Sequence, residues 1–318
     1  MPVLEVDDLR VRIGGTPILR GVSLSLESGQ TLGVVGESGC GKSMTGLAVM
    51  GMLPAGGTVE SGSIRLDGRE ITGLTAKQWR EVRGRQVALV MQDPFTSLNP
   101  MMRVGHQVAE ALLLHRRVSR DKAWRQSVEM LERVGVPAPE TSARRYPHQL
   151  SGGQRQRVVL AIAFACRPKV LIADEPTTAL DVTLQAQILR LIQELKDTHG
   201  TAVMLISHDV GVIGTLSSRV AVFYAGRVVE TGPAESVLHS PGHPYTQALL
   251  AALPRRGQTE LPAIAGQPPN PTTMPPGCPF APRCPRRYDR CDREPGLLPL
   301  APQHGAACWL VGESAAIN

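Results

Sequence analysis

The chain has 318 residues, enough to bury a sizeable core in one large or two small domains, and 42% of them are hydrophobic. No apolar run approaches the roughly 20 residues that cross a bilayer, and Met1 to Asp8 lacks the basic and apolar regions of a secretory signal. The net charge of +6 is scattered and only 3% of residues are aromatic, which argues against a base-stacking nucleic-acid surface.

The first predicted elements are short strands. Leu4-Glu5-Val6 and Leu9 to Ile13 precede a Gly14-Gly15 turn, and Val22-Ser23-Leu24-Ser25-Leu26 alternates as a half-buried strand should. Gln30 to Val35 is an apolar run that suits a buried strand. It runs into Gly36-Glu37-Ser38-Gly39-Cys40-Gly41-Lys42-Ser43, which fits the G-x-x-x-x-G-K-[ST] phosphate-binding loop. Lys42 to Met50 then reads as the helix whose N-terminus faces the phosphates, with Met44 in its first turn. The three glycines let backbone N–H groups turn toward phosphate oxygens. Lys42 adds a point charge for the β- and γ-phosphates, and the Ser43 hydroxyl is a Mg²⁺ ligand.

Ile64 to Leu66 with an Asp67-Gly68 turn predicts a hairpin. Val87 to Met91 predicts a buried strand that delivers Gln92 to the crevice where open α/β sheets bind ligands. Gln92 is therefore a candidate contact to Mg²⁺ or to the attacking water. From about Asp93 to Ala165 the spacing turns helical, clearest over Val104 to Leu114 and Asp121 to Val134. Pro137, Pro139 and Pro147 interrupt it before Leu150-Ser151-Gly152-Gly153-Gln154, and Gln154 to Phe164 resumes as a helix.

Strand and helix then alternate through Val170 to Ala173, Leu184 to Leu195, Ala202 to Ile206 and Val220 to Tyr224, the rhythm of a parallel sheet. The first of these strands ends in Asp174-Glu175. Asp174 suits an outer or water-mediated hold on Mg²⁺, and Glu175 suits polarisation of an attacking water. His208 ends the next strand in the same fashion, in position to reach a γ-phosphate. One α/β core with a helical insertion is the expected fold.

From Leu253 onward Pro, Gly and Arg dominate, yet four of the six cysteines lie there, as Cys278, Cys284, Cys291 and Cys308. Stable disulfides are not expected in a cytoplasmic protein, so the spacing C-x₅-C-x₆-C-x₁₆-C leaves tetrahedral Zn²⁺, an iron–sulfur cluster or free thiols. Arg283, Arg286, Arg287, Arg290 and Arg293 lie among these cysteines and would offset the charge of a thiolate-bound cluster. Cys166 reads as a packed thiol.

Together the phosphate loop, Gln92, Leu150 to Gln154, the Leu171-Ile172-Ala173-Asp174-Glu175-Pro176 segment, Ala179-Leu180-Asp181 and His208 resemble the nucleotide-binding subunit of ATP-binding cassette (ABC) transporters, over roughly the first 250 residues. The resemblance implies a P-loop ABC ATPase core with an antiparallel β subdomain. It implies a domain at 1–252, with its helical subdomain at about 93–165, and an irregular Cys-rich tail at 253–318. It also implies ATP and Mg²⁺ as ligands. Ser151 and Gly153, at the start of a helix, would serve the nucleotide held by a partner cassette.

Gln92 to Pro100 and His243 to Leu250, followed by the cysteine tail, resemble the D-type ATPases of dipeptide, oligopeptide and nickel importers. That likeness implies a related F-type ATPase as partner, two transmembrane permease subunits and an extracytoplasmic solute-binding protein. It places the chain peripherally on the cytoplasmic face of the inner membrane. It also favours a [4Fe-4S] cluster on the four cysteines. One position departs from the pattern: Ile13 stands where these proteins carry an aromatic residue for adenine. A soluble ABC ATPase of translation or DNA repair, and an exporter ATPase, are the competing readings. The first lacks a second cassette or coiled-coil insertion here, and the importer-type loop and tail disfavour the second.

Overall fold

The computed structural model describes residues 1–178, 180–253 and 264–314. Ala179 of the Ala179-Leu180-Asp181 motif lies outside the described residues, as do parts of the tail at 254–263 and 315–318. Two compact units divide the chain. One comprises Met1–Leu26, Thr31–Thr72 and the chain from Leu205 onward; the other comprises Glu27–Gln30 and Gly73–Met204.

The first unit holds an antiparallel sheet in the order Thr16–Leu26, Leu4–Ile13, Gly57–Leu66, Arg69–Glu70. Leu4–Ile13 is one strand where the apolar pattern suggests two. Leu4 and Val6 are buried, then Leu9 and Val11, so the inward phase slips by one residue between them. A register shift lies at that point, and Asp8 sits there with φ 42°. A bulge absorbs the extra residue and keeps both apolar pairs on the core face. The expected Asp67-Gly68 hairpin joins Gly57–Leu66 to Arg69–Glu70.

A second sheet in this unit runs Leu298–Ala301, His304–Ala306, Arg227–Pro233, Arg219–Tyr224, Thr31–Val35. Thr31–Val35 is buried at every residue and pairs in parallel with Arg219–Tyr224. Its apolar run is what a strand covered on both faces requires.

The described part of the tail folds onto this unit although it shows no periodicity of its own. Its hairpin extends the sheet, with Glu230 opposite Ala306. Glu230 is fully buried, and its carboxylate accepts hydrogen bonds from the backbone N–H of Gly242 (2.7 Å) and of His243 (2.9 Å) and faces His304 Nε2 at 2.8 Å. A buried carboxylate with three partners is satisfied, whereas an orphaned one would be costly. Phe280, 1% exposed, packs against Tyr224, Tyr245 and His243 at ring separations of 5.4, 5.5 and 5.8 Å. The tail borrows a core, which is why its sequence carries no pattern of one.

The second unit contains the parallel strands Val87–Val90 and Val170–Asp174, in register from Val87 opposite Val170, with Ala202 to Met204 continuing beside them. Its helices include Val104–His115, Arg120–Arg133, Gly152–Phe164 and Val182–His199. Two of them begin earlier than their apolar spacing suggests, because polar caps open them. Ser151 forms a capping box with Gln154, and Asp181 accepts from Leu184 N at 2.9 Å. Gly200 ends the second with φ 65°. Among the described residues, no helix is long and apolar enough to cross a membrane.

Candidate functional site

The phosphate loop connects Thr31–Val35 to helix Lys42–Val49. Gly36 has φ 150°, and a Cβ there would run into the Phe223 carbonyl and the Cys40 sulfur, so no larger residue fits. Lys42 is only 7% exposed. Its ammonium donates to the backbone carbonyls of Gly36 (2.8 Å) and Glu37 (2.9 Å), drawing the loop closed around a positive charge. The Lys42 ammonium and the N–H groups at the start of helix Lys42–Val49 are donors of the kind that suit an anion. Gly39 has open space where a Cβ would stand, Ser43 is exposed at the helix start, and Met44 is half-buried. Burial raises the pKa of the Cys40 thiol, and Lys42 beside it opposes that shift.

Glu37, inside the loop, is held from two sides. Its N–H donates to Tyr245 Oη at 2.9 Å, and its carboxylate is held by the Arg283 guanidinium of the tail, at 2.6 Å and 3.0 Å. The Arg283 side chain is 4% exposed and the bond is bidentate, the strong geometry for this pair. A tail residue thus reaches the glycine-rich loop, a link no local pattern announces.

In the second unit, Asp174 ends its strand half-buried and Glu175 follows with φ 47°. A left-handed backbone on a non-glycine residue costs about 1–3 kcal/mol and is typical of sites that aim a side chain. Glu175 Oε2 accepts from Thr178 Oγ1 at 2.7 Å and from Gln92 Nε2 at 3.3 Å. Gln92 and Glu175 are therefore brought together from two strand ends. Thr178 was missed by sequence reasoning, although the Thr177-Thr178 pair directly after Pro176 was a visible signal. The donors Thr178 and Gln92 orient this carboxylate.

Ser151 is exposed; its hydroxyl accepts from Gln154 N at 3.3 Å while Gln154 Oε1 accepts from Ser151 N at 3.0 Å. Gly153 is buried, and a Cβ there would press into Leu184. His208 lies exposed after Ala202–Ile206, and Asp209 next to it caps helix Val210–Leu216 by accepting from Gly211 N (2.9 Å) and Val212 N (3.2 Å).

The family described as ABC transporter matches residues 19–178, and the oligopeptide/dipeptide transporter C-terminal region matches residues 229–291. The chain is 46% identical over 313 residues to the oligopeptide transport ATP-binding protein OppD of Salmonella typhimurium, covering 96% of this chain and 93% of that protein. It is also 46% identical to the dipeptide transport ATP-binding protein DppD of Bacillus subtilis, covering 98% and 96%. The chain belongs to the ABC transporter ATP-binding proteins. Its fold is that of the family: the dimeric bacterial cassette MJ0796 superimposes with a TM-score of 0.65 at 25% identity, over 73% of this chain and 98% of that one.

Where ABC ATPases of this type match the C-terminal region, the present chain carries three of its four tail cysteines. None of the four is in a disulfide, and Cys278 N donates to the Cys291 carbonyl at 2.9 Å. Burial pushes the Cys278 thiol up to about 11 and raises those of Cys284 and Cys308, with neighbouring cysteines adding to each shift. Among the described residues, however, no group of three or more Cys, His, Asp or Glu is placed to hold a metal ion. The arginines are also engaged differently from expectation. Arg283 is bound to Glu37, Arg287 pairs with Asp292 at 3.2 Å, and Arg290 lies over the Trp309 ring at 4.9 Å. Two backbone N–H groups reach Cys284: that of Arg286 donates to its Sγ at 3.4 Å and that of Arg287 to its carbonyl at 3.3 Å.

Proposed function

We propose that this chain is the ATP-binding subunit of an ABC importer that drives uptake of di- and oligopeptides. Near-full-length identity to oligopeptide and dipeptide transport ATP-binding proteins carries this reading, because it spans both the ATPase region and the transporter-type tail. In this reading the ATPase domain is 1–252 and the tail 253–318. Lys42 and the N–H groups of the loop hold the phosphates, Ser43, Gln92 and Asp174 serve Mg²⁺, and Glu175 accepts a proton from the attacking water. His208 steadies the γ-phosphate. Ser151 and Gly153 serve the nucleotide of a second cassette, so ATP closes a pair of subunits and hydrolysis reopens it.

The second cassette is a related F-type ATPase, and the pair sits peripherally on the cytoplasmic side beneath two permease subunits supplied by a solute-binding protein. Reconstitution of the chain with those subunits in vesicles tests this reading. Peptide delivered by the binding protein should stimulate ATP hydrolysis several-fold and accumulate in the lumen. ATPase activity indifferent to peptide, or uptake of nickel instead, would overturn the peptide assignment.

The four tail cysteines hold a [4Fe-4S] cluster in this reading. Support comes from four cysteines outside any disulfide on an irregular backbone and from the likeness of the tail to the oligopeptide/dipeptide transporter C-terminal region. Anaerobically purified protein should contain iron and acid-labile sulfide in equal amounts near four per chain. Absence of both sinks the cluster.

A further inference from the structure

A cavity of about 270 Å³ opens beside the phosphate loop. Loop residues 37–40 form one wall, Ile18 of strand Thr16–Leu26 another, and tail residues 268–271 with Met274 a third. The volume is just below the roughly 300 Å³ at which small-molecule sites begin, so it suits one end of a ligand whose other end lies elsewhere. A nucleotide with its phosphates on the loop must send its nucleoside out of the loop, and this cavity is continuous with it.

Three observations make the tail wall more than a chance neighbour. First, it is fastened. Arg283, which grips Glu37, also donates to the carbonyls of Ala265 (2.9 Å) and Ile264 (3.3 Å), tying the start of the segment to the loop. Second, it is shaped. Asn270 Oδ1 accepts from Thr272 N (2.9 Å) and from Thr272 Oγ1 (2.8 Å), and Asn270 O accepts from Thr273 N (3.0 Å). This turn commits the Asn270 oxygen, so what the residue offers the cavity is its amide NH₂, a donor for a purine ring nitrogen. Third, Pro269, Pro271 and Met274 are half-buried, in a segment that is otherwise mostly exposed.

Proline rings and a soft thioether are flat or adaptable apolar surfaces of the kind a base can lie against. Ile13, where an aromatic residue was expected, does not line this cavity, whereas Ile18 does.

We propose that the tail segment Pro268 to Met274 is the nucleoside-binding wall of this chain's nucleotide site. Its apolar side chains pack on the base in place of an aromatic residue, and Asn270 donates a hydrogen bond to it. The tail thereby contributes directly to ligand binding. This proposal rests on the ATP-binding reading above.

The test compares two ligands on the full-length chain by calorimetric titration: a non-hydrolysable ATP analogue with Mg²⁺, and Mg²⁺-tripolyphosphate, which has the phosphates and no nucleoside. Met274→Ala and Asn270→Ala should each weaken the ATP analogue about five- to tenfold, the scale of one buried side chain or one hydrogen bond. Tripolyphosphate affinity should stay within about twofold of wild type, and Met274→Leu should restore most of the loss. Unchanged analogue affinity in both variants overturns the proposal. Equal losses for both ligands also overturn it, because the segment would then merely prop the loop. A wild-type chain that binds neither ligand defeats the nucleotide reading itself, a result distinct from either of these.

Discussion

Glu175→Gln should lower steady-state ATP turnover about a thousandfold and leave MgATP affinity within a few-fold of wild type. General-base catalysis is worth roughly 10²–10⁴ in rate, and glutamine removes the proton-accepting capacity while keeping size and shape. The surroundings favour a clean substitution. Thr178 Oγ1 at 2.7 Å can donate to an amide oxygen as readily as to a carboxylate, and Gln92 Nε2 at 3.3 Å is the weaker of the two partners. The backbone, held at φ 47°, should tolerate glutamine as it tolerates glutamate. Single-turnover and steady-state assays on the reconstituted complex check this, with analogue binding measured separately. Wild-type turnover would remove Glu175 from the chemistry, and lost binding would make it a ligand of the nucleotide instead.

Acid unfolding offers the second large effect. His243 is 2% exposed, its Nδ1 accepts from Tyr245 N at 2.9 Å, and it caps helix Pro244–Ala251. Burial pushes its pKa down to about 4 from an ordinary 6.5, against a smaller opposing effect of the Ala307 backbone. With Nδ1 accepting, the proton of the neutral ring belongs on Nε2. The folded state therefore binds a proton less readily than the unfolded state. The contribution is complete above pH 6.5 and is lost as pH falls from 6.5 towards about 4.

A shift of this size corresponds to about 3 kcal/mol of stability lost across that window. His243→Asn keeps a capping side chain with no titration in this range. Urea unfolding of wild type and variant, repeated between pH 7 and 4, should show a distinctly shallower pH dependence for the variant. Identical slopes would mean that His243 does not set the acid limit.

Glu175 and His243 also mark how far the sequence could be read. The phosphate loop, the strand before it and the helix after it follow from residues within a few positions of one another. Glycine spacing sets the turn, apolar runs mark buried strands, and a lysine next to a hydroxyl completes a phosphate site. The same short-range logic found the strand leading to Asp174-Glu175 and the helix capped by Ser151. It misjudged the bulge at Asp8 and the first turns of two helices, where one extra residue or a polar cap displaces the apolar phase.

Other features are decided by contacts between distant positions. Gln92 meets Glu175 across 83 residues, Glu230 meets His304 across 74, and Glu37 meets Arg283 across 246. The tail looked like an unpatterned chain with arginines set to balance a cluster, and the fold spends its best-placed arginine on the phosphate loop instead. Short-range motifs carried the resemblance to an ABC ATPase and marked the candidate nucleotide-site residues. Which glutamate an arginine would clamp, and which proline-rich segment would line the cavity beside the loop, depended on folding. Those pairings arise only when chain segments with no shared periodicity are buried against one another, where an unpaired charge or an uncovered aromatic ring would be too costly to leave.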